Sequence, residues 1–311
     1  MRGAADRVID LQGHLERDRD TLAEARCDAI FYVDLGMNPY QTMLAHARLA
    51  PLQCTHFGHP ETSGIPNIDW WISVDALEPP DAQAHYSEKL HLLRGVPQFS
   101  YYYRPELPAQ LKQRADYGFR DDEYLFICPQ YVFKIHPDFD RILEAILAAD
   151  PRVRILLTRS PVAHWTTVVL RRLRRRMGDL ADRISCLPPM AVQDLMNLEH
   201  VCDAVLDTPH FNGYNTTLEA WAANAPVVTL PGEFQRGLHT AGMYRFMGIH
   251  DLIAEDADHY ARLALRLARD TAFQQAMRAL LAERSGVLFE NTEVVHEYER
   301  FFDGRLRQLS R

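Results

Sequence analysis

A parallel-sheet α/β fold is what this 311-residue sequence predicts, and three observations predict it. Between residues 124 and 230, short apolar runs alternate with amphipathic stretches, the pattern of strands joined by crossover helices. The apolar run at 204–207 leads through a small-residue turn into a helical segment, the place where α/β proteins hold phosphorylated ligands. With 47% hydrophobic residues, the chain can bury one large core or, as its length suggests, two ordinary domains.

Taken in order, residues 5–26 are charged with leucine and isoleucine at helical spacing and predict a helix. Residues 28–34 predict a buried strand and 43–49 a helix. Short strands follow at 53–57 and 70–74, separated by a loop at 58–66 whose glycines and prolines forbid regular structure. The region 95–123, rich in proline, tyrosine and charge, predicts a linker. Strands are then expected at 124–128, 153–158, 184–187, 204–206 and 226–230, with helices at 137–149, 165–177, 191–201 and 216–223 between them. Helices at 239–247, 257–268, 271–284 and 292–309 close the chain. No internal repeat or low-complexity segment is visible.

A formal charge of −8 argues against a general nucleic-acid binder. The basic run from Arg171 to Arg176 spreads around a helix at helical spacing and reads as a solvated face, with an acidic partner or nucleic acid as the rival. No apolar run approaches the roughly 20 residues that span a bilayer, and the opening residues lack an apolar leader, so no membrane partner and a cytoplasmic setting are expected. The five cysteines, Cys27, Cys54, Cys128, Cys186 and Cys202, are widely spaced and read as reduced core thiols, and none forms a CxxC pair.

In the turn, Asn212, Gly213 and Asn215 tolerate unusual backbone angles and leave N–H groups uncovered at the head of the helix through Thr216 and Thr217. Those groups and the helix dipole attract an anion. Glu219 lies one turn inside, where a carboxylate can accept from ribose hydroxyls. The plainer account is a capped connection, with Asn215 or Thr216 as the cap. At another strand end, Lys134 precedes Pro137 in a helix's first turn, where an ammonium can neutralise a leaving diphosphate or simply sit solvated.

These residues together resemble the donor-site region of the O-linked N-acetylglucosamine transferase family, including its bacterial SPINDLY-like members. The resemblance rests on 206–219, on 225–233, on the lysine motif at 133–137, and on 48–64 and 86–90. It implies a glycosyltransferase-B fold of two Rossmann-like lobes closing over the donor. It also implies inverting transfer of N-acetylglucosamine or a hexose from a UDP donor to Ser or Thr of a protein or peptide, with Asn as the less usual acceptor and no cofactor or metal. By that likeness Lys134 binds the diphosphate and Gln130 lies near the uridine or phosphates. Asn212, Gly213, Asn215, Thr216 and Thr217 hold the phosphates, and Glu219 takes the ribose. The loop with Gly58, His59, Pro60 and Thr62 faces the sugar or acceptor. The implied domains are a partial N-terminal acceptor-side lobe at 1–108, a UDP-sugar lobe at 109–290, and a terminal helix at 291–311 returning to the first lobe. Relative to the family the first lobe is shortened and helical repeats are lacking, so an added domain or subunit is expected to complete it. Val192, Leu195 and Asn197 stand where animal members carry charged and histidine residues.

Asp138 and Asp140 spell the DxD letters of metal-dependent transferases, but two residues apart on a helix they point about 200° apart. Asp256 and Asp258 likewise open a helix. His56 and His59 are the candidates for the general base, while Asp34 and His136 read more simply as helix caps. Neither a GxSxG elbow nor a GxGxxG loop is present. The alternatives kept open are a non-catalytic UDP-sugar-binding or scaffold protein, a truncated fragment, and a UDP-sugar epimerase of the same fold.

Overall fold

The computed structural model describes Gly3 and residues 5–309. Part of the stretch read as lacking a leader (Met1, Arg2, Ala4) and the outer domain bounds at Met1 and Arg311 lie outside the described residues. The chain forms two compact units. One takes the chain up to Asp75, Pro80–Phe99 and everything from Glu293 on; the other takes Ala76–Pro79 and Ser100–Thr292.

The first unit holds a parallel sheet of β1 (Ala29–Tyr32), β2 (Leu52–His56), β3 (Trp70–Val74) and β4 (Lys89–Leu93), in that order across the sheet. β4 has no counterpart among the sequence expectations, because Lys89 and His91 interrupt its apolar run. Helix α1 (Leu15–Glu24) is shorter than expected. The buried Asp18 carboxylate accepts the N–H groups of Gln12, Gly13 and His14, and Gly13 has φ +80°, so the preceding backbone folds back instead of continuing the helix. Helix α2 (Pro39–Ala45) starts earlier than 43. The Asn38 side chain accepts from Tyr40 N and Gln41 N, and Pro39 supplies the first helical residue. Asp34 therefore caps nothing with its side chain here; its carbonyl accepts from Met37 and Asn38.

The last helix, α10 (Glu293–Leu309), packs on this sheet. Phe301 is buried, edge-on to Trp70 with ring centroids 5.9 Å apart and tilted against His91 at 4.6 Å. Tyr298 donates to the Phe99 carbonyl (2.9 Å), and Glu297 accepts Arg94 N–H (2.6 Å).

The second unit is a five-stranded parallel sheet in the order β7-β6-β5-β8-β9. Its strands are β5 (Tyr124–Cys128), β6 (Val153–Thr158), β7 (Ile184–Leu187), β8 (Ala204–Leu206) and β9 (Val227–Val228). All but β9 fall within a residue of expectation, since central parallel strands are buried on both faces and read as continuous apolar runs. The helices are α3 (Pro137–Ala149), α4 (Ala163–Met177), α5 (Val192–Val201), α6 (Asn215–Ala222), α7 (His239–Phe246), α8 (Ala257–Arg269) and α9 (Thr271–Arg284). From β5 the chain winds outward through β6 and β7, then returns to place β8 on the other side of β5. The carboxyl ends of β5 and β8 thus flank the point where the winding reverses, and loops leaving them diverge to leave a crevice.

The arginines of α4 are less free than a solvated face implies. Arg172 grips the buried Asp140 through two bonds (2.7 and 2.8 Å) and the Ile135 carbonyl, Arg174 pairs with Asp179 and Asp182, and Arg176 with Glu144. All five cysteines are free thiols; Cys54, Cys128 and Cys202 are buried, whereas Cys27 is exposed, contrary to a core position. Among the described residues no helix is long and apolar enough to cross a membrane.

Candidate functional site

The loops leaving β5 and β8 interlock through four side chains. Lys134, in the short 3-10 turn Val132–Lys134, donates to the Asn212 carbonyl (3.0 Å) and to Gln130 Oε1 (3.2 Å), and lies 4.3 Å from the centre of the Phe211 ring. Gln130 is buried and donates from Nε2 to Thr216 Oγ1 (2.6 Å). Burial lowers the Lys134 pKa, with the buried Asp207 carboxylate opposing. The structure thus brings Gln130, Lys134, Asn212, Gly213 and Thr216 together at the β5/β8 reversal.

Asp207, which follows β8, organises the turn and was not singled out by sequence. Its Oδ1 accepts Gly213 N–H (2.8 Å) and its Oδ2 accepts the Thr229 hydroxyl (2.8 Å). Burial nevertheless pushes its carboxyl up to about 6, against the pull of these donors and of Lys134. Asn212 donates from Nδ2 to the Thr208 carbonyl (2.8 Å), while its buried Oδ1 has no hydrogen-bond partner.

The expected reason for the small residues needs correction. The left-handed residue of the turn is His210 (φ +67°), not Asn212, Gly213 or Asn215. Gly213 is required by space, since a Cβ there would lie 2.4 Å from Gln130 Nε2, 2.5 Å from Thr216 Oγ1 and 2.8 Å from Thr217 Oγ1. Neither Asn215 nor Thr216 caps α6. Tyr214 occupies the cap position without a side-chain cap bond, which leaves that helix end electropositive. Asn215 is exposed, whereas Thr217 is buried with its hydroxyl 3.1 Å from that of Thr240; it faces the core, and only its backbone lies on the helix end.

Glu219 is half-buried one turn along α6, and burial raises its pKa. Near it on α5 lies Glu199, fully buried with both carboxylate oxygens lacking a hydrogen bond; burial, then the charge of Glu219, pushes its pKa well up. Sequence offers no sign of that burial. Beside Thr216 a cavity of about 200 Å³ is lined by Tyr131, Thr158, Arg159, Met190 and Leu195. Val192 is exposed, and Asn197 is buried and structural, bonding Lys112 N (2.8 Å) and Lys112 O (3.0 Å).

On the first unit, Gly58 is dictated by contact, because a Cβ would lie 2.1 Å from the Val33 carbonyl oxygen. His59 packs over Gly36, with Nε2 3.7 Å from Glu61, and Pro60 is buried. The loop is tied by Glu88, which accepts Thr62 Oγ1 (2.6 Å), Ser63 N–H (2.8 Å) and the Ser63 hydroxyl. Burial pushes Glu88 up, but these donors outweigh it and hold the carboxyl below its usual range. Replacing Glu88 with alanine is expected to cost about 1–2 kcal/mol, since it removes the charged acceptor that ties Thr62 and Ser63 while water can reach those donors. A lowered urea midpoint and new proteolytic cleavage within 58–64 would show it.

His56 ends β2 between the rings of Phe31 (4.9 Å) and Phe57 (5.0 Å), with Nδ1 buried and lacking a hydrogen bond. Burial lowers its pKa to about 4, which makes it a weak proton acceptor near neutral pH. Asp138 and Asp140 have separate partners, Asp140 taking Arg172 and Asp138 taking His210 (2.8 Å). His136 caps α3 by accepting Asp138 N–H (3.2 Å), and Asp256 caps α8 by accepting from His259 N (2.7 Å).

Comparison with known proteins bears on the family and the fold. The chain is 27% identical over 260 residues to an Arabidopsis thaliana protein described as the probable UDP-N-acetylglucosamine–peptide N-acetylglucosaminyltransferase SEC, covering 81% of this chain and 26% of the relative. It is 28% identical over 279 residues to the Solanum lycopersicum SPINDLY protein, described by the same probable activity, with 85% and 29% covered. A solved Thermobaculum terrenum O-GlcNAc transferase mutant superposes with a TM-score of 0.83 at 25% identity, covering 99% of this chain and 58% of that one. Anabaena HepE solved with UDP shares the fold at 14% identity (TM-score 0.64, 93% and 82% covered). The two parallel-sheet units fit the expected glycosyltransferase-B class. The family model for glycosyl transferase family 41 matches residues 105–297, a segment that holds the Lys134 loop, the Asp207 turn and Glu219 alike, and the chain belongs to that family.

Proposed function

We propose that the chain is a UDP-sugar glycosyltransferase that moves N-acetylglucosamine, or a hexose, onto a protein side chain, Ser or Thr before Asn. The observation that carries the reading is the Lys134 ammonium, fixed by Asn212 and Gln130 beside an uncapped helix end. As the sugar–phosphate bond breaks, negative charge gathers on the diphosphate. An ammonium already in place, with the first turn of α6 at Asn215, Thr216 and Thr217, stabilises that charge more than it stabilises the substrate. These groups supply the charge compensation by which the reaction proceeds without a metal, and attack from the opposite face inverts the anomeric centre. Glu219, one turn along, accepts from the ribose hydroxyls, and the cavity beside Thr216 takes the base. On the first unit, Gly58, His59, Pro60 and Thr62 are assigned to acceptor contact. His59 is the better base there, because a buried imidazole with a pKa of about 4 gives His56 little drive to take a proton.

A panel of UDP-sugars tests the reading. Calorimetry is expected to give binding of UDP and of one UDP-sugar, and that sugar should pass to a Ser/Thr peptide library with one UDP released per transfer. UDP binding with no transfer from any donor would make the chain a binding module, and sugar interconversion without acceptor would make it an epimerase.

A further inference from the structure

Three side chains that the donor reading does not use converge beside a different cavity. His210 Nε2 lies 2.8 Å from Asp138 Oδ2, and His136 Nδ1 lies 3.2 Å from the same oxygen. One ligand atom from each residue falls within 4.8 Å of the other two. A tetrahedral ion with bonds of about 2.0–2.1 Å spaces its ligand atoms roughly 3.3 Å apart; the two edges to Asp138 Oδ2 come near that spacing, and turning the exposed rings brings the imidazole nitrogens, no more than 4.8 Å apart, onto one face of such a site. Side-chain exposures of 51%, 66% and 52% leave room for that adjustment. His210 adopts φ +67°, an uncommon conformation for a non-glycine residue that histidine visits more readily than most, and its ring stands against that of His136 with centroids 4.6 Å apart.

We propose that His136, Asp138 and His210 bind a divalent transition cation of the zinc class. Two imidazoles and one carboxylate form a nitrogen-rich set that suits zinc or cobalt and not magnesium or calcium. The surroundings fix the fourth ligand. The cavity, about 320 Å³, is also lined by Arg141 and Arg176, and α3 points its positive end at the trio. Asp258 (3.4 Å) and Glu144 (2.9 Å) partly offset those arginines. Two neutral imidazoles and a carboxylate leave the ion one net positive charge, so the open position takes water or a small anion facing the arginines. The Asp138 N–H bond to His136 Nδ1, 3.2 Å long, is replaced if the ion takes that nitrogen. Because His136 follows Lys134 and His210 precedes Asn212, the ion clips the two interlocked loops together.

Titrating the chelator-stripped full chain with Zn²⁺ by calorimetry, and with Co²⁺ by visible absorption, tests this directly and needs no nucleotide. One equivalent should bind with a tetrahedral Co²⁺ spectrum. Asp138→Asn and His210→Asn should each weaken binding at least about tenfold, while Cys27→Ser leaves it unchanged. His210→Asn tolerates the left-handed backbone, so a retained circular dichroism spectrum separates lost ligation from lost fold. Zn²⁺ should raise the melting temperature of the wild type and not of that variant. No stoichiometric binding, or binding that survives both substitutions, would overturn the site.

Discussion

Lys134→Ala is expected to lower kcat for UDP-sugar turnover by about 10²–10³-fold, the usual consequence of removing one fixed group that meets developing charge. Its ammonium is half-buried and held by Gln130 of its own loop and by the Asn212 carbonyl of the loop after β8, so little reorganisation accompanies reaction. UDP binding should weaken as well, but by less than kcat falls, because the leaving diphosphate carries more charge than the bound donor. Steady-state kinetics with calorimetry on the same preparation measures both. Unchanged turnover with a folded variant would remove Lys134 from the chemistry.

Asp207→Ala is expected to have the largest effect on stability, about 3–5 kcal/mol lost at neutral pH by urea unfolding. It strips Gly213 N–H and the Thr229 hydroxyl of their acceptor and leaves Lys134 without a buried counter-charge. A pH series with Asp207→Asn isolates the titration. The carboxyl is raised from 3.8 to about 6 on folding, so the native state binds its proton more tightly than the unfolded chain does. That stabilisation, about 3 kcal/mol, is complete below pH 3.8 and is lost as pH rises through 6. The wild type should therefore lose stability relative to Asp207→Asn between about pH 4 and 6, then run parallel to it. A flat difference across that window would show that Asp207 titrates normally.

Much of the second unit was legible because its central strands are continuous apolar runs and its helices carry strong periodicity. Residue types in the turn were legible too, but their reasons were not. Gly213 reads as a residue chosen for backbone freedom, whereas Gln130, Thr216 and Thr217 crowd the space a side chain would need. Gln130 comes from the loop after β5, far from Gly213 in the chain, and local sequence carries no trace of its approach. Asp207 and Glu199 escaped for a related reason: a carboxylate's burial depends on what packs over it. In the first unit, periodicity placed β1, β2 and β3 but misplaced α1 and α2, where the Asp18 carboxylate and the Asn38–Pro39 cap decide the ends.

The packing of α10 on the first sheet also sets an order of assembly. Residues 100–292 are contiguous, so the second sheet can complete its pairings while the chain is still being made. The first sheet cannot. Trp70, His91 and Phe31 wait for partners more than 200 residues downstream, and until Tyr298, Phe301 and Phe302 arrive they present an aromatic face to water. Ribosome-released chains ending before Glu293 should therefore show a protease-resistant second unit beside a labile, chaperone-bound first one.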